Sequence, residues 1–296
     1  MRVLVTGASG WIGSAVVPEL IGAGHEVVGL ARSDASATAL TAAGAQVHRG
    51  SLDDLDGLRS AAAASDGVIH LAFKHDIAFT GDFQAATDAD RRAIETVGDA
   101  LAGSDRPFLI ASGTLGLAVG RVATEEDGQS LDGAVSPRLA NALLTTALAD
   151  RGVRSSVVRL PPTVHGEGDN GFMATIVGIA RERGVSGYIG DGSNRWAAVH
   201  QIDAARLFRL ALENAPAGST LHAIADEGVP IRTIAEIIGR HLDVPVAPVA
   251  PEHFAWLAGF LGLDSPASAA RTSALLGWQP THPGLVDDLE KGHYFG

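Results

Sequence analysis

The apolar strand Arg2-Val3-Leu4-Val5-Thr6 breaks into the turn Gly7-Ala8-Ser9-Gly10-Trp11-Ile12-Gly13, and this turn constrains the fold more than any other feature. Its glycines recur at intervals of three, after a strand and before a helix-like stretch. The first permits a tight turn, the second lets main chain approach a pyrophosphate, and the third lets the helix pack on the sheet. The helix N-terminus then offers free N–H groups and a partial positive charge to phosphate oxygens. A glycine triplet alone is common. Inside a strand–helix–strand unit it predicts a dinucleotide site. Gly7, Ser9, Gly10, Trp11, Ile12 and Gly13 are its candidate contacts. Pro18 falls inside the first helix and removes one hydrogen bond, so a kink or an early 3₁₀ stretch is expected.

The strand–helix rhythm continues to residue 160. Candidate strands cover 2–6, 26–31, 45–49, 67–71, 108–112 and 155–160, all short and rich in Val, Ile and Leu. Such runs suit strands buried on both faces. Candidate helices lie at about 11–23, 35–43, 54–64, 85–102 and 137–151. This alternation predicts an α/β fold, a Rossmann-type doubly wound parallel sheet with right-handed crossovers over 1–160. After Pro161-Pro162 the rhythm changes. A Gly- and acid-rich loop at 166–171 leads to helix-like 172–183, then a polar stretch at 188–195. A helix over 199–214 with its N-cap at Asp203 is expected, with short helices at 230–241, 251–263 and 266–275. Residues 161–296 are expected to form a smaller C-terminal substrate lobe sharing the same core.

Composition narrows the function. The chain has 296 residues, 46% of them hydrophobic, enough for a sizeable core. Cysteine is absent, which excludes disulfides, thiolate nucleophiles and Cys-ligated metals. The 11 histidines form no His-Glu-x-x-His and no compact cluster with Asp, so no metal is expected. No Gly-x-Ser-x-Gly elbow points to a hydrolase, and the turn lacks the Lys-Ser/Thr end of a nucleotide-hydrolysing P-loop. A net charge of −12 opposes nucleic acid or anionic membrane as partner. No uncharged apolar run reaches the roughly 18 residues a membrane span needs. Met1-Arg2-Val3-Leu4-Val5 runs straight into the first strand, so no signal peptide is expected, and a cytoplasmic location is.

The second strand ends Gly29-Leu30-Ala31-Arg32-Ser33. NAD enzymes place Asp or Glu at this tip to hold the ribose hydroxyls. Ala31 stands there instead. A guanidinium at Arg32 can pair with a 2′-phosphate, and Ser33 can add a hydroxyl. The reading favours NADP(H) over NAD(H), with Asp34 as the opposing signal.

Further segments carry a family likeness. Ser51-Leu52-Asp53 follows the third strand, His70-Leu71-Ala72 ends the fourth, and Ile110-Ala111-Ser112-Gly113-Thr114 ends the fifth. Val158-Arg159-Leu160-Pro161-Pro162-Thr163-Val164-His165-Gly166 follows the sixth. Gly190-Asp191-Gly192-Ser193-Asn194-Arg195-Trp196, Val199-His200-Gln201-Ile202-Asp203 and Leu276-Gly277-Trp278-Gln279-Pro280 lie in the second half. With the opening turn, they resemble the extended branch of the short-chain dehydrogenase/reductase superfamily, the epimerase/dehydratase-like branch, over nearly the whole chain. The resemblance implies Leu52 beside the adenine and Leu71 and Ala72 under the cofactor. It implies Pro161, Thr163 and Val164 beside the nicotinamide. Ser112 and Thr114 are then the hydroxyls placed to polarise a substrate carbonyl.

One element departs from that pattern. The family's chemistry uses a Tyr-x-x-x-Lys pair on the fifth helix, which here reads Ser136-Pro137-Arg138-Leu139-Ala140-Asn141-Ala142. The Tyr place falls on Pro137 or Arg138, the Lys place on Asn141 or Ala142, and no Tyr occurs between residues 1 and 187. This likens the chain to the superfamily's atypical subgroups. His165 is a candidate proton donor, because an imidazole titrates near neutrality. It also matches a family Tyr that is more often structural. Lys74, His75, Tyr188 and His200 are further polar groups near the implied site. The expected activity is NADP(H)-dependent oxidation or reduction of a small organic carbonyl-type substrate with a non-standard proton donor. The alternatives are a non-catalytic NADP(H)-binding sensor, or an epimerase/dehydratase-type lyase or isomerase with held cofactor. The resemblance also implies a homodimer through two helices. One carries Ala89, Ala93, Ile94, Val97 and Leu101, the other Leu139, Ala140, Leu143, Leu144, Ala147 and Leu148.

Overall fold

Val3, Leu4 and Val5 have no exposed surface, because their strand lies inside a sheet covered on both faces. In the computed structural model, which describes residues 1–78, 81–128 and 137–296, this is β1 (Arg2–Thr6). Ser136 of the fifth-helix motif lies outside the described residues. The next strands are β2 (Glu26–Ala31), β3 (Gln46–Arg49), β4 (Gly67–His70), β5 (Pro107–Gly113) and β6 (Arg154–Leu160). Then come β7 (Thr163–His165), β8 (Ser186–Tyr188), β9 (Arg195–His200), β10 (Ser219–His222), β11 (Asp226–Pro230) and β12 (Val246–Pro248). The main sheet has seven strands in the order β10-β6-β5-β4-β1-β2-β3. Strand β1 pairs in parallel with β2 and β4, as β2 does with β3 and β4 with β5. Strand order reverses at β1, so the carboxyl ends of β1 and β4 form the switch point where such sheets bind ligands.

The sheet is flanked by α1 (Gly13–Gly22), α2 (Asp34–Ala42), α3 (Leu55–Ala63), α4 (His75–Ala78), α5 (Phe83–Leu101) and α6 (Pro137–Ala147). Leu58, Ile94, Val97 and Leu101 from the helices meet Leu4, Val68, Phe108 and Val157 from the sheet in one core. Ala89, Ala93, Ile94, Val97 and Leu101 are therefore all buried within the chain. The α5 stripe thus packs within the chain's own core. On α6, Leu139, Ala140, Leu143 and Leu144 are half-buried.

Three local expectations are corrected. Helix α1 is α-helical from Gly13 to Gly22 with Pro18 inside it, so the expected 3₁₀ stretch is absent. Only the bond Pro18 cannot donate is lost. The helix expected over 137–151 ends at Ala147 and tightens into a 3₁₀ turn, Leu148–Arg151, stopped by Gly152 at φ 69°. After α7 (Phe172–Arg183), the helix expected from 199 begins as α8 (Gln201–Asn214), because 199 and 200 still belong to β9. Asp203 lies inside its first turn and not at its cap. The Asp203 carboxylate is occupied elsewhere, accepting the main-chain N–H groups of Thr281 and His282 at 3.0 and 2.9 Å.

The chain forms two compact units. The first comprises Met1–Ser112, Gly128–Arg159 and Ala205–Leu221; the second comprises Gly113–Asp127, Leu160–Ala204 and His222–Gly296. The second unit holds the sheets β11-β9-β7 and β12-β8, with α7 and α9 (Ile231–Leu242). Met173, Ile176, Trp196, Ile234, Ile238 and Leu289 are among its core residues. Among the described residues, no helix is long and apolar enough to cross a membrane.

Candidate functional site

Gly7 takes φ +66°, the left-handed region that favours glycine. A Cβ there would lie 2.7 Å from Ala72 N and 2.9 Å from Leu71 C, main-chain atoms just beyond β4. A Cβ on Gly13 would lie 2.2 Å from the Gly7 carbonyl oxygen. The Gly10 N–H donates to that same oxygen at 2.9 Å, closing the turn. Helix α1 starts at Gly13, and its cap residue Ile12 supplies no side-chain hydrogen bond. Ser14 and Ala15 N–H groups donate to the main-chain oxygens of Gly10 and Ile12 at 2.8 and 3.1 Å, so the turn and the helix start are tied together without a side-chain cap. Ser9 and Gly10 are exposed at the tip, while Trp11 and Ile12 are half-buried. A cradle that a Cβ would fill, ahead of an uncapped helix, fits a pyrophosphate.

A buried relay supports the turn from below. Ala72 N–H donates to Thr6 Oγ1 at 3.2 Å, and Thr6 Oγ1 lies 2.7 Å from His70 Nδ1. His70 Nε2 lies 3.1 Å from Asp90 Oδ1, and Asn141 Nδ2 donates to Asp90 Oδ2 at 2.7 Å. Burial pushes the Asp90 carboxyl up, but the His70 hydrogen bond, the charges of His70 and Arg138, and Asn141 outweigh it. Asp90 is therefore held below the ordinary carboxylate range, ionised and accepting. The His70 ring thus bridges the Asp90 carboxylate and the Thr6 hydroxyl. Replacing Asp90 with Ala strands two buried donors. We expect a loss of about 2–4 kcal/mol in urea unfolding, with Asp90→Asn milder because it keeps one acceptor.

At the other end of the turn, an open cleft of about 480 Å³ is lined by Ala31, Arg32, Arg49, Gly50, Ser51 and Asp54. The β2–β3 register pairs Ala31 with Arg49 directly, which brings Arg49 beside Arg32. Arg32 Nη1 lies 3.3 Å from Asp76 and Arg49 Nη2 lies 2.6 Å from Asp34, all four side chains more than half exposed. Ser33, expected to add a hydroxyl to the cofactor, caps α2, its Oγ accepting Ser36 N–H at 3.1 Å. Leu52 is buried in the core, one residue beyond the cleft-lining Ser51. Arg49 escaped the sequence reading because it looks like any solvated strand end. Its alignment with Ala31 is the signal that finds it.

Ser112 belongs to the first unit and is buried near the end of β5. Beside it, Arg138 Nη2 donates to Ala111 O at 2.9 Å, and the guanidinium carbon sits 4.2 Å over the Phe73 ring. Arg138 thus reaches from α6 to the carboxyl end of β5.

In the second unit, Thr114 is buried, with its N–H donating to Leu160 O at 3.0 Å. Thr114 Oγ1 and Thr163 Oγ1 have no hydrogen-bond partner among the described residues. Pro161 is buried and Val164 half-buried. His165 has no exposed surface, and its Nδ1 lies 2.9 Å from Asp288 Oδ2. Burial pushes the Asp288 carboxyl up, but hydrogen bonds from His165 and Lys291 and the His165 and His293 charges hold it at about 2. His165 is thus fully enclosed, its Nδ1 paired with Asp288 and its Nε2 without a hydrogen-bond partner among the described residues.

A left-handed glycine turn feeding an uncapped helix, at the switch point of a parallel sheet, defines a dinucleotide-binding α/β protein. The chain belongs to the NAD-dependent epimerase/dehydratase family, whose model matches residues 3–224. That family supports a nicotinamide cofactor. The chain is 47% identical over 300 residues to an uncharacterized Schizosaccharomyces pombe protein, covering 100% of both. It is 44% identical to an uncharacterized Saccharomyces cerevisiae protein, covering 99% of each. Its fold is similar to that of a UDP-glucose 4-epimerase from Thermotoga maritima solved with UDP-glucose. That match has a TM-score of 0.78 at 20% identity and covers 100% of this chain and 98% of the other.

Proposed function

We propose that this chain is an NADP(H)-dependent oxidoreductase acting on a small carbonyl-type substrate. The observation that carries the reading is the Ala31–Arg49 pairing, which puts two guanidiniums on one cleft where a ribose-binding carboxylate would stand. A 2′-phosphate is a better partner for both arginines than the exposed carboxylates of Asp76 and Asp34. The nicotinamide, when bound, exchanges a hydride with a carbonyl carbon. The chain's residues orient and polarise the oxygen. The Ser112 hydroxyl is the group that would donate to it. Water delivers the proton.

The test is titration of the purified protein with NADPH and NADH, followed by nucleotide fluorescence. NADPH is expected to bind at least about tenfold tighter, a difference of roughly 1.4 kcal/mol. Arg32→Ala and Arg49→Ala should each weaken NADPH by about tenfold or more and leave NADH unchanged. Equal wild-type affinities would remove the NADP assignment. Tight NADPH binding without turnover on any carbonyl or imine substrate would leave a sensor and sink the oxidoreductase.

A further inference from the structure

We propose that Arg138, seated on Phe73 and flanked by His75, is an anion-holding subsite at the carboxyl ends of β4 and β5, and that the substrate presents a carboxylate to it. This deepens the oxidoreductase reading and rests on it: the substrate class becomes a short oxo or hydroxy acid.

The argument starts from charge balance around one side chain. Arg138 forms no ion pair with any carboxylate among the described residues. Asp90 is the one carboxylate whose charge acts on Arg138, and both Asp90 oxygens are already taken by His70 and Asn141. Burial lowers the Arg138 pKa and the Asp90 charge opposes that, so the cation is retained at a cost. His75 does not compensate. Burial and then the Arg138 charge lower its pKa, against Asp76, which keeps that ring neutral.

Geometry says where the missing counter-charge would sit. One N–H of the guanidinium donates to Ala111 O. A guanidinium carries five N–H donors in a planar fork, so donors remain for a second partner. The Phe73 face fixes the plane of the fork at 4.2 Å, and Phe73 is held in turn by edge contacts with His75 at 5.1 Å and a tilted contact with Phe83 at 6.1 Å. A planar, pre-oriented fork is the donor set that binds a carboxylate bidentately. Ala111 precedes Ser112, so the anion is held one residue from the hydroxyl assigned to the reacting oxygen.

The experiment uses the NADPH-saturated protein and a matched pair of probes, sodium benzoate and benzamide, titrated calorimetrically. Benzoate should bind saturably without displacing NADPH, with benzamide at least tenfold weaker. Arg138→Gln should weaken benzoate at least tenfold while changing NADPH affinity less than twofold, and Arg138→Lys should fall between. Phe73→Leu, which keeps the charge and loosens its plane, should weaken benzoate severalfold and serves if Arg138→Gln does not fold. Equal binding of the two probes, unaltered benzoate affinity in Arg138→Gln or in Phe73→Leu, or displacement of NADPH by benzoate would each overturn the subsite. A protein that binds no NADPH defeats the cofactor reading separately, and the benzoate titration then proceeds on the free chain.

Discussion

Gly13→Ala is expected to lower dinucleotide affinity by at least about 100-fold, roughly 2.7 kcal/mol, and to cost about 1–3 kcal/mol of folding stability. The added Cβ would lie 2.2 Å from the Gly7 oxygen and 2.7 Å from Ala8 Cα and C. These are main-chain atoms, so no side-chain rotation relieves the clash. The turn or the start of α1 must move, and either shift misaims the N–H groups that hold the pyrophosphate. Gly10→Ala separates binding from folding. Its Cβ would lie 3.2 Å from the Gly7 oxygen, and Gly10 is exposed. It should fold with a loss below about 1 kcal/mol yet still bind poorly, because the methyl stands where the phosphates approach. Thermal unfolding and NADPH fluorescence titration read the two effects apart. If Gly10→Ala binds NADPH like the wild type, the phosphates do not sit on this turn.

The turn was legible because its pattern is local: strand, three glycines and helix follow one another, and Gly10 and Gly13 answer steric demands within the turn itself, while Gly7 also clears the distant main chain of Leu71 and Ala72. The same holds for β1, β2, β4, β5 and β6, whose apolar runs need no partner to be recognised. What stayed hidden depends on distant contacts. Arg49 gains meaning only from the register that sets it against Ala31. Arg138 could be aligned with the Tyr place, yet its stacking on Phe73 and its bond to Ala111 cannot be read from spacing. The His165 partner, Asp288, lies 123 residues further along. Without it, a near-neutral imidazole reads as chemistry. Asp203 shows the same override, its cap-like residue type redirected to Thr281 and His282. Periodicity on α5 correctly located an apolar face, but a 3.6-residue repeat does not say whether a chain's own sheet or a neighbour covers that face.

Acidification is expected to destabilise the protein in two stages, the first set by His200. Its ring stacks on His282 at 4.7 Å and meets His165 edge-on at 5.4 Å. Its Nδ1 accepts the Ile202 N–H at 3.2 Å. An imidazolium needs a proton on both nitrogens, so charging the ring breaks that bond. Burial first, then the His165 and His282 charges, lower its pKa to about 4, against Asp288 and Asp203. The unfolded chain takes up this proton near 6.5, and the folded chain does so only near 4. Between those values the unfolded state holds more protons, so stability falls as pH drops from 6.5 to 4, by about 3 kcal/mol at most. Asp288 sets the second stage. With a folded pKa of about 2 against 3.8 unfolded, its contribution is complete above 3.8 and lost as pH falls through 2, by about 2 kcal/mol. Urea midpoints measured from pH 7 to pH 2 should show both limbs. His200→Asn keeps an acceptor for Ile202 and should flatten only the upper limb. Asp288→Asn should shrink the lower limb, to which Asp90 and Asp127 also contribute, and cost about 3 kcal/mol at neutral pH, since it leaves His165 and Lys291 without their carboxylate. A wild-type midpoint that stays flat between pH 7 and pH 4, or an unchanged upper limb in His200→Asn, would show that this imidazole is not held neutral by its stack.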